Sequence, residues 1–363
     1  MGTMVYTRRS RVPRCSALIL LVLPWIVACG DETPAPLDAA GPLPDAGTPA
    51  DAPPDGCVAQ PFPSDERDID ILFVMSTSAS MATIDGDGSA ESRWATVSKA
   101  VTTFVAGRSG QPYGAGLLFF PMLSAGDGGT PTESCAAADY EILAASIAPL
   151  DESGGHGAAI EAALETRSLA GGNTLTAALT GGLRAAARAK ERTGHVIQTV
   201  LVTDGTTDPC GGDITSAVAV AGEAFQRDRL ETYVLGVGPN ATNLDPIAVA
   251  GGTMRAYSAT GNDGVAAALT TLGATMRRCH YFLPSSLPSN ALVRINFLVD
   301  PGKNRQQINR TEDGTSCTQG QGWFYNSNTA PAYVIFCPVT CDALLERPEL
   351  EVSGELWCFT AND

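Results

Sequence analysis

Short apolar runs alternate with segments of helical periodicity throughout residues 70–278, and this alternation constrains the fold more than any other feature. The apolar runs predict strands at 69–75, 115–120, 140–147, 196–202, 233–237 and 254–258. The helical spacing of apolar side chains predicts helices at 94–105, 157–169, 175–183, 214–225 and 265–276, with a short one at Pro246. Strands and helices in this order build a mostly parallel sheet with helices on both faces. We therefore predict a doubly wound α/β domain of about 210 residues, large enough to bury its own core.

Polar side chains directly follow the first predicted strand. The segment Ser76-Thr77-Ser78-Ala79-Ser80 places three hydroxyls at alternate positions. Two further polar segments lie at the same predicted edge: Gly171-Gly172-Asn173-Thr174 precedes a helix, and Val202-Thr203-Asp204-Gly205 ends a strand. Open α/β sheets bind their ligands at the carboxyl ends of parallel strands. We expect the three loops to form one site.

These loops resemble the three loops that form the metal-ion-dependent adhesion site of von Willebrand factor type A (VWA) domains. In that family they read Asp-x-Ser-x-Ser, Gly-Gly-Thr and Thr-Asp-Gly. The resemblance implies a VWA/Rossmann-like fold in which the strand at 140–147 runs antiparallel. It also implies that Ser78, Ser80 and Asp204 match metal-holding positions. The departures are Ser76 in place of the first aspartate and Asn173 in place of the threonine, unless the adjacent Thr174 takes that role.

The departures weaken the predicted metal site. Mg²⁺ prefers carboxylate and water oxygens in octahedral geometry, and Ser76 replaces one of the two carboxylates. At about 1.5–3 kcal/mol for a charged contact, this loss lowers the affinity by about one to two powers of ten. We therefore predict a degenerate site that binds Mg²⁺ weakly or holds no ion. Nearby, Asp85-Gly86-Asp87-Gly88 lacks the spacing of a calcium loop and predicts a solvated turn.

The first 28 residues have the pattern of an export signal. Four arginines between positions 8 and 14 precede an apolar stretch at 17–27 that is too short to span a membrane. The end of this stretch, Ile26-Val27-Ala28-Cys29, resembles a bacterial lipobox, which implies lipidation of Cys29. An ordinary signal peptide is the alternative, and Arg8-Arg9 alone gives little support to twin-arginine export. Residues 29–56, rich in Pro, Ala and Asp, predict a lipid anchor followed by an extended linker.

The formal net charge of −16 argues against a nucleic-acid partner, because phosphate backbones repel an acidic chain. Contact with a membrane is expected only through the lipid anchor. Apart from Cys15 and Cys29 the chain has an even number of cysteines, which in an exported protein predicts disulfides. These residues are Cys57, Cys135, Cys210, Cys279, Cys317, Cys337, Cys341 and Cys358.

The VWA resemblance also suggests how the cysteines pair. The termini of a VWA domain lie close together, which implies a bond between Cys57 and Cys279. Cys135 and Cys210 flank loops near the predicted site and form the second expected pair. The remaining four cysteines are expected to pair within the C-terminal tail. The spacing of Cys337 and Cys341, with no histidine nearby, argues against a zinc site.

Residues 280–363 predict a small β-rich appendage to the VWA domain at 57–279. Apolar and aromatic runs predict strands at 292–299, 323–325, 333–336 and 350–359. Half of the eight cysteines lie here, as expected where a small core needs covalent links. The tail resembles that of VWA lipoproteins from high-GC, predatory or social bacteria. Its aromatic side chains form either a small core or a carbohydrate-binding face.

The sequence does not predict an enzyme. It lacks a Gly-x-Ser-x-Gly elbow, a His-Glu-x-x-His helix and a phosphate-binding glycine loop. His156, His195 and His280 stand apart, and we expect surface or strand-edge positions for them. The predicted function is a binding or adhesion module that engages a protein partner, with no firm dependence on metal. Its predicted location is the bacterial cell envelope, where lipid anchors it to the periplasmic or surface face of the outer membrane. The alternative is a structural or assembly lipoprotein of the envelope with a non-functional metal site.

Overall fold

The structure, a computed structural model, describes residues 60–62, 64, 67–85, 90–125, 131–205, 208–239, 241–253, 255–284, 295–300, 306–312, 314–317, 320–327, 331–347 and 350–356. The described residues all lie in one compact unit. The predicted signal peptide, the lipidation residue Cys29 and the linker lie outside them. In the described part of the chain, no helix has the length and apolar character needed to cross a membrane.

The predicted strands and helices occur in the predicted order, with further short elements between them. The strands are β1 (Gln60–Phe62), β2 (Ile69–Ser76), β3 (Tyr113–Phe120), β4 (Leu123–Ala125), β5 (Pro131–Glu133), β6 (Ala145–Pro149), β7 (Val196–Thr203), β8 (Glu231–Val237), β9 (Tyr257–Ala259), β10 (His280–Phe282), β11 (Ile295–Asp300), β12 (Gln306–Ile308), β13 (Trp323–Tyr325), β14 (Tyr333–Phe336) and β15 (Glu351–Leu356). The helices are α1 (Arg93–Ala106), α2 (Gly155–Glu165), α3 (Leu175–Thr193), α4 (Ile214–Asp228), α5 (Asp245–Ala250), α6 (Gly261–Arg278) and α7 (Pro338–Glu346).

A six-stranded sheet forms the centre of the molecule. Its strand order is β6-β3-β2-β7-β8-β9, with β6 antiparallel to β3 and the other neighbours parallel. This confirms the doubly wound α/β fold, including the antiparallel strand, although β6 begins at Ala145 rather than at Tyr140. The order reverses between the adjacent strands β2 and β7, so the loops that follow them flank the position where such sheets bind ligands.

Both faces of the sheet are buried, as expected for parallel strands. On one face of β2, Ile71 and Phe73 join a core formed with α1 and α6. On the other face, Leu72 and Val74 join a core formed with α3 and α4. Because successive side chains of a strand point to opposite faces, one apolar run supplies both cores.

Helix α3 lies very close to the segment before β6 because Gly181 has no side chain. A Cβ atom at this position would collide with the carbonyl oxygen of Ala137 and would lie 2.5 Å from the Cβ atom of Tyr140. The close approach places Tyr140 beside the start of α3, where its hydroxyl lies 2.6 Å from the Thr174 hydroxyl. The glycine therefore positions a residue next to the predicted site.

The C-terminal appendage contains two small antiparallel sheets, with strand orders β1-β15-β11-β12 and β10-β14-β13. Their shared core is aromatic, and the rings of Phe297 and Trp323 meet edge-on at a centroid distance of 4.8 Å. Phe324 and Tyr325 are also buried. The aromatic residues therefore form a small core and not a carbohydrate-binding face. Helix α7 was not predicted from the sequence.

The appendage packs against the α/β domain. Strand β1 precedes the central sheet in sequence, yet it pairs with β15 of the appendage. Tyr333 and Ile335 of β14 lie in the same core as Phe73 of the central sheet. Helix α6 ends at Arg278 and β10 begins at His280.

A buried ion pair links the central sheet to the appendage. Glu231 Oε1 accepts hydrogen bonds from His280 Nε2 and from the Tyr333 hydroxyl, each at 3.0 Å, while Gln198 and Tyr233 donate to Oε2. Burial alone raises the pKa of Glu231, but the His280 charge and these hydrogen bonds bring it below its usual value. Burial alone lowers the pKa of His280, but Glu231 raises it above its usual value. His280 begins the edge strand β10, but its side chain is buried and does not lie at the surface.

Three disulfides lie in the described residues. The predicted Cys135–Cys210 bond is confirmed, with a Cα–Cα distance of 5.4 Å. Cys317 bonds to Cys337 within the appendage. Cys279 bonds to Cys341 and not to Cys57, because helix α7 lies beside the end of α6 and brings the Cα atoms of Cys279 and Cys341 within 5.0 Å. This bond also contradicts the expected pairing of four cysteines within the tail. Cys57 and Cys358 lie outside the described residues.

Candidate functional site

The three predicted loops converge at the carboxyl ends of β2 and β7. Ala79 N in the loop after β2 donates to the Gly171 carbonyl oxygen at 3.0 Å, which joins the first loop to the second. Ser78 Oγ lies 3.3 Å from Asp204 Oδ1, which joins the first loop to the third. Ser76, Ser78 and Asp204 are buried, whereas Ser80 is exposed. The site therefore has a closed interior and an exposed outer edge.

The serine hydroxyls form a hydrogen-bonded chain that ends on the carboxylate. Ser76 Oγ donates to Ser78 Oγ at 3.0 Å, and Ser78 Oγ donates to Asp204 Oδ1 at 3.3 Å. Ser80 Oγ, 2.9 Å from Ser78 Oγ, completes the pattern as a second donor to it. A hydroxyl has one proton and two lone pairs, so Ser78 uses its full capacity in this arrangement. The chain stabilises the negative charge of Asp204.

Arg93, which sequence reasoning missed, supplies a cation to this site. Its Nη1 donates to Asp204 Oδ2 at 3.0 Å, and its Nε donates to Asp85 Oδ2 at 2.8 Å. Arg93 Nη2 also contacts Asp85, so that contact is bidentate. The side chains of Arg93 and Asp204 are only 6% and 3% exposed. The hydrogen bonds that Arg93 donates to Asp85 lower the pKa of Asp85 and raise the pKa of Arg93.

The local structure forms a specific space for Arg93. The residue opens helix α1 directly after Ser92, whose hydroxyl caps the helix by accepting from Ala95 N at 3.2 Å. A cation at a helix N-terminus is unfavourable because the helix dipole is positive there, so Arg93 depends on its carboxylate partners. Gly238, with φ of +84°, follows β8 beside it, and a Cβ atom there would lie 2.5 Å from Arg93 Nε. The guanidinium occupies the volume that this glycine leaves open.

Asp85 has a structural role that the sequence did not predict. Its side chain is 10% exposed and faces Arg93, so the expectation of a solvated turn is wrong at this residue. The contact between Asp85 and Arg93 could not be predicted because the segment between them has no regular pattern. The sequence signal for it was an arginine at the start of a predicted helix, where the helix dipole disfavours a positive charge.

Asn173 and Thr174 point in different directions. Asn173 Nδ2 donates to Thr203 Oγ1 at 2.9 Å and to the Gly205 carbonyl oxygen at 2.6 Å, so it fastens the second loop to the third. Its Oδ1 is buried with no hydrogen-bond partner among the described residues, a position that an ordered water would satisfy. The Thr174 hydroxyl is buried against the Tyr140 hydroxyl instead. The structure thus joins Asn173 to the loop that carries Asp204, and directs Thr174 to Tyr140.

Further contacts hold the second and third loops in place. The Cys135–Cys210 disulfide ties the loop after β7 to the segment after β5. Asp208 accepts hydrogen bonds from Cys210 N at 2.9 Å and from Thr176 N at 3.0 Å. Glu133 accepts a hydrogen bond from Gly172 N. These bonds make the floor of the site rigid.

The residues present do not fit a divalent metal ion as a resident cofactor. Asp204 is the carboxylate at the matched positions, and both of its oxygens already have donors. Within the described residues, no group of three His, Cys, Asp or Glu side chains could hold a metal. Charges of +2 and +1 about 5 Å apart repel by about 7 kcal/mol at an effective dielectric constant near 20. An ion on Asp204 would meet this repulsion from Arg93.

No protein-family model matches the chain, and no curated protein matches it. Similar solved structures include an aerotolerance-related membrane protein from Bacteroides fragilis, with 17% identity over 56% of this chain and 96% of that chain and a TM-score of 0.38. A von Willebrand factor type A protein from Catenulispora acidiphila has 11% identity over 80% of this chain and 57% of that chain, with a TM-score of 0.41. The manganese-loaded TRAP protein of Plasmodium vivax has 14% identity over 59% of this chain and 76% of that chain, with a TM-score of 0.37.

These likenesses concern the fold alone. The fold itself is defined by the strand order of the central sheet, by the antiparallel strand β6 and by helices on both faces. The loops after β2, before α3 and after β7 meet at the switch point of this sheet, as the VWA resemblance implies. Together these features give the α/β part of this chain a VWA-like fold.

Proposed function

We propose that this chain is an extracytoplasmic module for protein binding or adhesion that engages its partner with the carboxyl edge of the central sheet. The main support is a rim of exposed apolar side chains around the site. Ile84 and Leu123 are 56% and 42% exposed. Ile84 adjoins Asp85, and Leu123 lies beside the loop at Gly171. Exposed apolar residues at the edge of polar loops offer contacts that another protein can bury.

The proposed location is the bacterial cell envelope, with the chain attached to the outer membrane through lipid on Cys29. Disulfides in the folded part support an oxidising compartment, since reducing conditions in the cytosol disfavour them. The test is metabolic labelling with palmitate. We expect the wild type to be labelled and Cys29→Ala to be unlabelled. Label that persists in Cys29→Ala would contradict the anchor.

We further propose that the site binds and does not catalyse. The carboxylate nearest to a serine hydroxyl, Asp204, accepts from Ser78 on one oxygen and from Arg93 on the other, so both of its oxygens are already engaged. Ser78 is buried and its hydroxyl is fully engaged, so it is a poor nucleophile. This arrangement favours a rigid recognition surface.

The test of binding uses the full-length protein in detergent as bait for envelope extract. Ile84→Arg and Leu123→Arg place a charge on the rim, and we expect each to abolish capture of the partner seen with the wild type. Val249→Arg is the matched control, because Val249 is 49% exposed on α5 and lies two residues before Gly251, whose carbonyl oxygen accepts from Thr232 N at the opposite end of β8. If the rim variants and the control captured the same proteins as the wild type, the proposed surface would be wrong.

The second candidate is a structural or assembly lipoprotein with a non-functional metal site. The closed interior around Arg93 and Asp204 favours it, because a site sealed by its own cation offers few open contacts. Under this alternative, the rim variants leave envelope assembly and partner capture unchanged, whereas loss of the anchor on Cys29 disturbs both.

A further inference from the structure

Arg93 joins two of the segments that a bound cation would join. Its side chain contacts Asp204 after β7 and Asp85 after β2, and its own backbone begins α1. We propose that this guanidinium is a built-in cation that replaces the divalent ion, so that the loops after β2 and β7 are held and presented to a partner without metal. Presentation of the loops to a partner rests on the proposed function, whereas the replacement of the ion by Arg93 does not.

The donors and acceptors around Arg93 form a closed set. One Asp204 oxygen accepts from Arg93, and the other accepts from Ser78. Ser78 in turn accepts from its two serine neighbours, which leaves it no lone pair for an ion. A guanidinium keeps its charge at every physiological pH, and its planar fork suits a bidentate contact with a carboxylate such as Asp85. The charge at this position is therefore permanent, whereas a bound ion exchanges with solvent.

A second observation supports a site built for this side chain. Gly238 leaves the volume that the guanidinium fills, although Gly238 lies on a segment far from Arg93 in sequence. The side chain is nearly fully buried at the start of a helix, a place that disfavours an unpaired cation. Burial, paired carboxylates and the missing Cβ together fix one position for the positive charge.

This arrangement changes what is needed to create a metal site. Ser76→Asp alone returns the carboxylate that VWA domains have at this position, but Arg93 stays bound to Asp204 and supplies a cation to the site. Removing Arg93 alone frees Asp204 and Asp85 but leaves Ser76 without charge. Ser76→Asp combined with Arg93→Ser places a carboxylate at both matched positions beside Ser78 and Ser80 and removes the cation, which gives the donor set that hard divalent ions prefer.

Calorimetric titration of the full-length protein with Mn²⁺ and with Mg²⁺ tests the inference. We expect no binding at millimolar ion for the wild type or for Ser76→Asp, and at least about tenfold tighter binding for the Ser76→Asp/Arg93→Ser double variant than for either single variant. The control is Ser76→Asp/Arg255→Ser, which removes an equal charge from the exposed pair of Arg255 with Asp342. Equal binding by the two double variants would overturn the inference.

The unfolding temperature of the wild type provides a second test, which does not require Arg93→Ser to fold. A ligand that binds only the folded state raises the unfolding temperature, so we expect the same temperature in EDTA and in 10 mM Mg²⁺. Ser76→Asp/Arg93→Lys, which keeps the positive charge, is expected to behave like the wild type. Stabilisation of the wild type by more than about 2 °C in Mg²⁺, or submillimolar Mg²⁺ binding in the titration, would overturn the inference.

Partner capture in EDTA separates this inference from the proposed function. Capture by the wild type that survives EDTA and is lost in Ile84→Arg supports both. Capture that EDTA abolishes would overturn the built-in cation and leave the binding function standing. A wild type that binds no metal and captures no partner would support the built-in cation and contradict the binding function.

Discussion

Glu231 carries a negative charge in the interior of the molecule and depends on the appendage for its counter-ion. The carboxylate is 1% exposed, and His280 and Tyr333 each donate to it at 3.0 Å. Removing one member of a buried ion pair costs about 3–5 kcal/mol, because the other is left without a partner in a medium that solvates it poorly. We expect Glu231→Gln to lower the free energy of unfolding by about 3 kcal/mol, measured by urea denaturation.

The same substitution at Glu223 is the control. Glu223 pairs with Arg227 on the surface of α4 and is 71% exposed. Exposed pairs contribute about 0–1 kcal/mol, so Glu223→Gln should leave the free energy of unfolding nearly unchanged. Equal effects of the two substitutions would contradict a stabilising role for the buried pair.

The pH dependence of stability follows from the same pair. The pKa of Glu231 is lowered in the folded state, so its contribution is present above about 4.5 and is lost as pH falls through the folded pKa. The pKa of His280 is raised, so its contribution is present below about 6.5 and is lost as pH rises through the folded pKa. We expect the wild type to be most stable between these limits. Glu231→Gln should flatten the profile, as measured by unfolding temperature across pH 4–9, and an unchanged profile would contradict this assignment.

At the scale of residues, the sequence was informative where the contacts are local. Ser76, Ser78 and Ser80 alternate along one loop, so their common orientation could be predicted from their spacing. The partner of His280 could not be predicted in this way, because Glu231 lies 49 residues away and only the packing of the appendage brings the two together. Long-range pairs of this kind leave no periodic pattern in the sequence.

Helix α3 is an element whose position depends on one glycine. Gly181→Ala would raise the intrinsic helix propensity by about 1 kcal/mol, but its Cβ would collide with the Ala137 carbonyl oxygen, which belongs to the backbone and cannot rotate away. We expect a net destabilisation of about 1–3 kcal/mol by thermal or urea unfolding, as for other overpacked positions.

Gly222 in helix α4 is the matched control. A Cβ atom at Gly222 would meet the Ala250 Cβ at 3.6 Å, which is ordinary van der Waals contact. Gly222→Ala should therefore stabilise the protein by up to about 1 kcal/mol. Stabilisation by both substitutions would mean that α3 does not lie as close to the Ala137 segment as the structure has it.

At the scale of elements, periodicity predicted most of the central domain and less of the appendage. The strand at 196–202 and the helix at 214–225 were predicted because a continuous apolar run and the helical spacing of apolar side chains are strong local signals. Helix α7 was missed because it spans nine residues and begins at Pro338 between two cysteines, which obscures its pattern. The Cys279–Cys341 bond was missed for the same reason, since it depends on where α7 packs.

The whole molecule is expected to fold as a unit and not as two independent domains. The appendage supplies Tyr333 and Ile335 to the core of the central sheet and His280 to the buried charge of Glu231. A chain that ends at residue 279 would lose these apolar contacts and would leave Glu231 buried without a cation. We expect such a truncation to lose cooperative thermal unfolding, measured by circular dichroism and calorimetry.

Deletion of residues 31–56 is the control for this truncation. That segment has few apolar residues and is expected to contribute little to the folded core, so its removal should shift the unfolding temperature by less than about 2 °C. The comparison separates a general effect of shortening the chain from loss of the contacts made by the appendage. Cooperative unfolding of the chain that ends at 279, at the temperature of the full-length protein, would mean that the central sheet is stable alone and that the Glu231–His280 pair does not hold the molecule together.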